Sequence, residues 1–402
     1  AGVPVFESRY VTRPLCFFVH HQGRGHAART RATIAAMSEQ RPVSVVTADP
    51  SLFDGFERDI EIVALPNMIG ATVPTATLYD HATPDTLHCV PLGVREMRAT
   101  MRRIIDHLDE RDVGLFVIDV SAELAQLARI ASVPAVKIRM HGRRDDPGHR
   151  AAYQACTGLL APFDEALEQP EYPGWARAKT FYTGGLCTHT SAVPERADAR
   201  RRLGLPLDRE IVLAMTGGGG AGTPYAPLTV AARAAPHALF VTVGPLHREG
   251  HETDFANLVN HGWIDNVTDY VAAADIVIAS AGDNTVTEIA RVGRPYICTP
   301  EWRYFDEQTA KAERLAALDA ALHTPRLPGD NAGWVSLLEQ ARALSVDRLQ
   351  RLYDPAAAVN AAGWLERLTD RLWQDADTAE DAHTVRRLHA AGPSAAASGA
   401  GS

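Results

Sequence analysis

The sequence predicts an α/β protein built from two doubly wound domains with a cleft between them. Three observations carry that reading: strand-like and helical stretches alternate in both halves, the strands are continuous apolar runs, and a glycine-rich turn follows the first strand of each half. Continuous apolar strands belong to parallel sheets covered on both faces, because alternation is lost when neither face meets water. In such folds ligands gather outside the carboxyl ends of the strands and between domains.

In the first half the strands read as LCFFVH (15–20), VSVVT (43–47), EIVAL (61–65), GLFVID (114–119) and PAVKI (134–138), with alanine- or arginine-rich helices between them. The second half repeats the scheme with EIVLAM (210–215), ALFVTVG (238–244), DIVIAS (275–280) and PYICT (295–299). The rhythm breaks between Ala161 and Asp208, which places the join there. The expected division is an N-terminal arm (1–13), a first domain (14–180), a second domain (181–356), a C-terminal helix (357–376) and a tail (377–402). The amphipathic WLERLTDRLW (364–373) is placed to pack back across the join. The tail ends in AAGPSAAASGAGS, which cannot build a core and is expected to be disordered.

Composition narrows the function. The chain has 402 residues, 46% hydrophobic and 22% charged, with a net charge of −9, so a nucleic-acid-binding surface is not expected. The five cysteines (Cys16, Cys89, Cys156, Cys187, Cys298) lack close spacing, so neither a disulfide framework nor a zinc site is expected, and the chain reads as cytoplasmic. No apolar run is long enough to span a bilayer and no signal-peptide layout is seen, which leaves membrane contact at most peripheral. No His, Cys or carboxylate cluster has metal spacing, and GxSxG is absent.

Three segments carry chemistry. HHQGRGHAARTRA (20–32) follows the first strand: Gly23 and Gly25 shape the turn, while His21, Arg24 and His26 bring a candidate base and an anion-holding group to the cleft. A Rossmann dinucleotide reading of GxGxxA is set aside, since no acidic residue ends the next strand at the required distance. MTGGGGAGTPY (215–225) opens the second half, and its glycines can form an anion nest. It is not a P-loop, for no Gly-Lys-Ser/Thr follows. In SAGDNTVTEIARVGRPYICTPEWRYFDEQTAKA (280–312), a strand ends at Gly282 and a helix starts at once. Its first N–H groups at Asp283, Asn284 and Thr285 are ready for phosphate. The polar segment Asp306, Glu307 and Gln308 could bind hydroxyls. Asp119, at the end of its strand, could orient a ligand or a histidine, or cap the next helix. His141 and His247 read chiefly as surface-loop residues.

The order and spacing of these motifs resemble the GT-B glycosyltransferases, two Rossmann-like domains around a cleft. The likeness is to the family 28-like group that includes the lipid II-forming N-acetylglucosaminyltransferase, and it spans most of residues 14–370. It implies transfer of a sugar from a nucleotide diphosphate, a UDP-sugar, to an acceptor hydroxyl with inversion, without a metal. It implies His26 as general base with His21 as second choice, and the turn at Gly23, Arg24 and Gly25 on the acceptor side. Thr216, Gly217, Gly218, Gly219 and Gly220, with Gly282, Asp283, Asn284 and Thr285, would meet the diphosphate. Main-chain groups of Ile264 would read the base, Glu288 the ribose, and Asp306, Glu307 and Gln308 the donor sugar.

The chain departs from the group's pattern at four places. Glu307 stands where the lipid II enzymes have glutamine; an arginine after the join has no counterpart in GGLCTHT (184–190); and Asp283 and Asn284 replace small apolar residues. A carboxylate at 283 should repel a diphosphate unless it points away or caps the helix. Two other functions use the same scaffold: a UDP-sugar epimerase or hydrolase, and a subunit that binds nucleotide sugars without turnover.

Overall fold

The computed structural model describes residues 12–22, 24–217 and 222–374. Gly23, Gly218, Gly219, Gly220, most of the N-terminal arm and the whole tail from 377 lie outside the described residues.

Strands β1 (Leu15–Val19), β2 (Val43–Thr47), β3 (Glu61–Ala64), β4 (Leu115–Ile118), β5 (Ala135–Ile138), β6 (Gly158–Ala161) and β7 (Thr180–Tyr182) form one sheet, in the order β3-β2-β1-β4-β5-β6-β7. All its pairings are parallel. The second half contributes β8 (Ile211–Met215), β9 (Thr223–Pro224), β10 (Leu239–Val243), β11 (Leu246–His247), β12 (Leu258–Asn260), β13 (Ile276–Ala279), β14 (Tyr296–Cys298) and β15 (Leu322–His323). Six of these make a second parallel sheet in the order β12-β10-β8-β13-β14-β15, while β9 and β11 pair beside it. Each sheet reverses its winding next to its first strand, between β1 and β4 and between β8 and β13. Those two reversal points are where crevices open at the carboxyl ends.

The apolar runs expected as strands are the buried centres of both sheets: β1, β2, β4 and β8 are buried along their whole length. Strands β6, β7, β12 and β15 were not legible. The sheet runs past the boundary expected at 180, because β7, a half-buried edge strand, still pairs with β6.

The C-terminal helix runs Ala357–Trp373 and does cross back. Ala361, Ala362, Leu365 and Leu368 belong to the core of the first sheet, beside Leu15, Phe17 and Val45. Trp364 stacks on Phe181, with ring centroids 5.1 Å apart, and fits because Gly158 leaves no Cβ beneath its ring. Trp373 Nε1 donates to Gly114 O, and Arg41 donates to Asp370 at 2.7 Å. The chain therefore passes between the sheets twice, near Thr183–Gly185 and near Leu352–Asp354. The two passages touch: Gly185 bridges Tyr353, Asp354 N donates to Gly185 O, and Gly184 and Gly185 lie so near Asp354 and Leu352 that a side chain at either would collide.

Candidate active site

At the first reversal point, β1 leads into the helix Arg24–Ala35, whose first turn holds Arg24, Gly25 and His26. Strand β4 is followed at once by Asp119, which is 1% exposed. His26 Nδ1 lies 2.7 Å from Asp119 Oδ2, and since a carboxylate only accepts, Nδ1 carries the proton and Nε2 is left as the basic nitrogen. Asp119 therefore orients a histidine. It does not cap the next helix, a task taken by Ser121, whose hydroxyl accepts from Leu124 N. Burial by itself would raise the Asp119 carboxyl; His26, Arg29 and Lys137 outweigh it and hold it well below the usual carboxylate range. The next residue, Val120, sits at φ 71°, a conformation β-branched residues rarely take, at a cost of about 1–3 kcal/mol. Buried Lys137 holds that turn by donating to Val120 O.

At the second reversal point, β13 leads through Gly282 into the helix Asp283–Val292. Gly282 is the N-cap and offers no side-chain bond, so the first-turn N–H groups are free of capping. Free N–H groups at a helix start suit an anion. Asp283 does not face that space as a bare charge. Its carboxylate is bonded by Lys311 from the following helix and by Arg29 from the first domain at 3.3 Å. Burial would raise its pKa, but these two cations hold it well below the carboxylate range. Arg29 Nη2 also donates to Asp119 Oδ1 at 3.1 Å. One line of charge thus runs His26, Asp119, Arg29, Asp283, Lys311 across the cleft. Asn284 reaches the same contact, as a Cβ on Gly25 would stand 3.4 Å from its Nδ2.

The remaining residues fall around this line. Thr216 donates its hydroxyl to Pro245 O, and Gly217 is exposed at the end of β8. Thr285 lies half-buried in the first turn of the 283–292 helix. Glu288 is 1% exposed, not open to the cleft: it accepts from Thr268 Oγ1 at 2.6 Å, from Arg291 and from Cys187 Sγ at 3.2 Å. These bonds outweigh burial and lower its pKa, whereas burial and Glu288 push the Cys187 thiol up to about 12. Ile264 is half-buried against the core of the second domain.

The segment leading into Glu307 and Gln308 is a tight turn, with Phe305 at φ 64° and Asp306 at φ 54°. Glu307 Oε2 accepts from Arg144 of the first domain at 2.9 Å, and Arg143 Nε lies 3.5 Å from Asp306. Gln308 turns inward, its Oε1 accepting from Ala281 N and Glu301 N, so it joins the turn at Gly282 to the 301–308 segment. Phe305 O accepts from Arg143 N at 2.7 Å, and Gly142 is packed so closely there that a side chain would strike that oxygen.

His21 is half-buried and stacks on His20, and its Nε2 is buried without a partner among the described residues. Burial and the neighbouring His26 and His21 lower the pKa of His20. His247 is exposed as expected. His141 corrects the surface-loop reading: it is 1% exposed, bonded to Leu167 O, with its pKa lowered to about 3 by burial and by Lys311. Sequence reasoning missed Arg29, Lys311 and Arg144 as site residues, because each matters through a partner on a separate element, which for Arg29 and Arg144 lies in the other domain. It also expected no metal-type cluster, yet the fold brings His88, Asp146 and His149 together.

Comparison with known proteins agrees with this architecture. Residues 229–326 match the glycosyltransferase family 28 C-terminal domain. A relative from a Nocardioides species is 38% identical over 293 residues, covering 69% of this chain and 75% of its own length. One from Saccharopolyspora erythraea is 27% identical over 352 residues, 85% of this chain and 88% of its own. Both are named UDP-N-acetylglucosamine–N-acetylmuramyl-(pentapeptide) pyrophosphoryl-undecaprenol N-acetylglucosamine transferase. Among solved structures, a UDP-glucosyltransferase from Polygonum tinctorium superposes with a TM-score of 0.63 at 12% identity, over 89% of this chain and 99% of its own, a likeness of GT-B fold. The chain belongs to glycosyltransferase family 28, in the group that includes the lipid II-forming N-acetylglucosaminyltransferases, and is an enzyme of nucleotide-sugar-dependent glycosyl transfer.

Proposed function

We propose that the enzyme transfers a sugar from a UDP-sugar, held by residues 181–356, to a hydroxyl of an acceptor held by residues 14–180. The observation that carries this reading is the His26–Asp119 pair set across the cleft from the uncapped helix start at Gly282. The acceptor O–H gives its proton to His26 Nε2 while its oxygen forms a bond to the anomeric carbon. The bond from that carbon to the β-phosphate oxygen breaks, and UDP leaves with the electron pair. Attack from the face opposite the leaving group inverts the anomeric centre. Asp119 keeps Nε2 basic and steadies the imidazolium as it forms.

Main-chain N–H groups at Asp283 to Thr285 and at Gly217 would take up charge on the leaving diphosphate. Thr216 would flank them, and Gly218, Gly219 and Gly220, which lie outside the described residues, complete the proposed phosphate-binding set. Ile264 N–H and C=O make no internal hydrogen bond among the described residues, which suits reading of uracil by the main chain. Ribose binding at Glu288 requires Cys187 to release Oε2. Glu307, tied to Arg144, and the Gln308 amide would meet the donor sugar beside Asp306. On the acceptor side, Arg24 and Gly25 follow Gly23, and His21 stands behind His26 as the second candidate. Residues 357–374 fasten the domains together. Among the described residues no helix is long and apolar enough to cross a membrane.

The test is a thermal-shift series of nucleotide sugars, since a ligand that binds only the folded state raises apparent stability. UDP-sugars should raise the melting temperature in both parent and His26→Ala, and only the parent should turn over. Absence of a shift with every UDP-sugar overturns the donor assignment.

A further inference from the structure

We propose that His88, Asp146 and His149 form a binding site for one divalent transition-metal ion of the zinc class, in the first domain's wall of the cleft. One donor atom from each of the three lies within 4.8 Å of the other two. Two imidazoles and a carboxylate are a donor set suited to zinc and its neighbours, with a coordination position left open.

The site is built from three fixed pieces. Asp146 is the N-cap of the helix Pro147–Ala155, its Oδ1 accepting from His149 N at 3.1 Å and its Oδ2 standing 2.5 Å from His149 Nδ1. The His149 side chain is 2% exposed. His88 comes from a loop pinned by Glu123, whose Oε1 accepts from both His88 N and Cys89 N. Loop and helix meet backbone to backbone: a Cβ on Gly148 would stand 2.9 Å from His88 N. The two imidazoles lie 4.6 Å apart, and Phe305 of the second domain packs against both, 5.3 Å from His88 and 5.0 Å from His149.

Charge and space favour a cation. A cavity of about 440 Å³ opens beside the cluster, lined by Asp85, Asp145 and Asp146 against Arg143 alone. Arg143 is drawn to Asp306, and the neighbouring Arg144 is bound by Glu307. Ligand atoms on tetrahedral zinc are roughly 3.3 Å apart, given metal bonds of about 2.0 Å. The cluster reaches that spacing by rotation of the exposed His88 side chain and by widening of the 2.5 Å contact between His149 Nδ1 and Asp146 Oδ2 once the proton between them is lost. The ion would replace the proton now shared by His149 Nδ1 and Asp146 Oδ2, and that proton goes to solvent. It would tie the 83–88 loop to the helix start, with its open position toward the cavity.

The experiment is titration of chelator-treated full-length protein with Co²⁺, read by its visible ligand-field absorption, and with Zn²⁺ by calorimetry. The parent should bind one equivalent. His88→Ala, and Asp146→Asn, which keeps the helix cap, should each weaken binding about tenfold or more. No saturable binding by the parent overturns the proposal, and so does equal binding by parent and both variants. Neither readout depends on glycosyl transfer.

Discussion

Asp283→Asn separates two accounts of the carboxylate that stands at the turn proposed to bind the diphosphate. In the structure that carboxylate is the only ion-pair partner of Lys311 among the described residues, and the Lys311 side chain is 2% exposed. Removing one partner of a buried pair costs about 3–5 kcal/mol, because the other charge stays buried and uncompensated. Asparagine keeps one acceptor oxygen and Arg29 keeps Asp119, so the lower end applies, about 3 kcal/mol. At about 2–4 °C per kcal/mol for a domain of this size, the melting temperature should fall by roughly 6–12 °C. The assay is thermal unfolding at pH 7 with a parallel UDP titration, and UDP affinity should not improve. If Asp283 instead pointed at the diphosphate, removing its charge would relieve repulsion. A melting temperature within 2 °C of the parent together with tighter UDP binding would refute the reasoning.

Other expectations follow from the same contacts. His26→Ala should lower turnover by about 10²–10⁴ with UDP affinity unchanged, measured by UDP release. Asp119→Asn should lower turnover without loss of UDP binding, because the imidazole loses the partner that fixes its tautomer. Asp119 and Asp283 both have folded pKa values below their unfolded ones, so their stabilisation is fully present above about pH 4 and is lost as the pH falls through the folded values. Acid denaturation should accordingly be shallower in Asp283→Asn than in the parent when followed by circular dichroism. Gly142→Ala places a methyl group against Phe305 O at a residue with φ 107°, and should loosen the domain contact by about 1–3 kcal/mol. Its signature is faster proteolysis between the domains with each sheet intact.

The central strands were legible because LFVI, VSVVT and IVLAM are buried on both faces and leave no periodic ambiguity. The short edges were not: TFY and LH are too brief and too exposed to carry a pattern. The C-terminal helix was placed at 357–376, but its amphipathic pattern was read only from Trp364 onward, because its first turns, AAVNAAG, show no large apolar stripe; small residues there let the helix lie close to the first sheet. At the site, the strand-to-helix turn at Gly282 could be placed because local sequence dictates where a strand becomes a helix. The partners of the site residues could not. Asp119 meets His26 only because β1 and β4 are neighbours, and the Asp283 charge is matched only because Arg29 and Lys311 arrive from separate elements. The same holds for His88 and His149, which no spacing rule connects.

The paired passages at Gly184–Gly185 and Leu352–Asp354 have a mechanical consequence. Two bodies joined by one flexible link can swing, twist and roll; two links bonded side by side, as Gly185 is to Tyr353 and Asp354, act as the knuckles of a door hinge. Swing about the hinge line remains soft while twist is resisted. Each opening and closing stroke should then retrace one path, returning Arg144 to Glu307 and Arg29 to Asp283 in the same register. The base and the leaving group would be brought into line by the hinge, without a search.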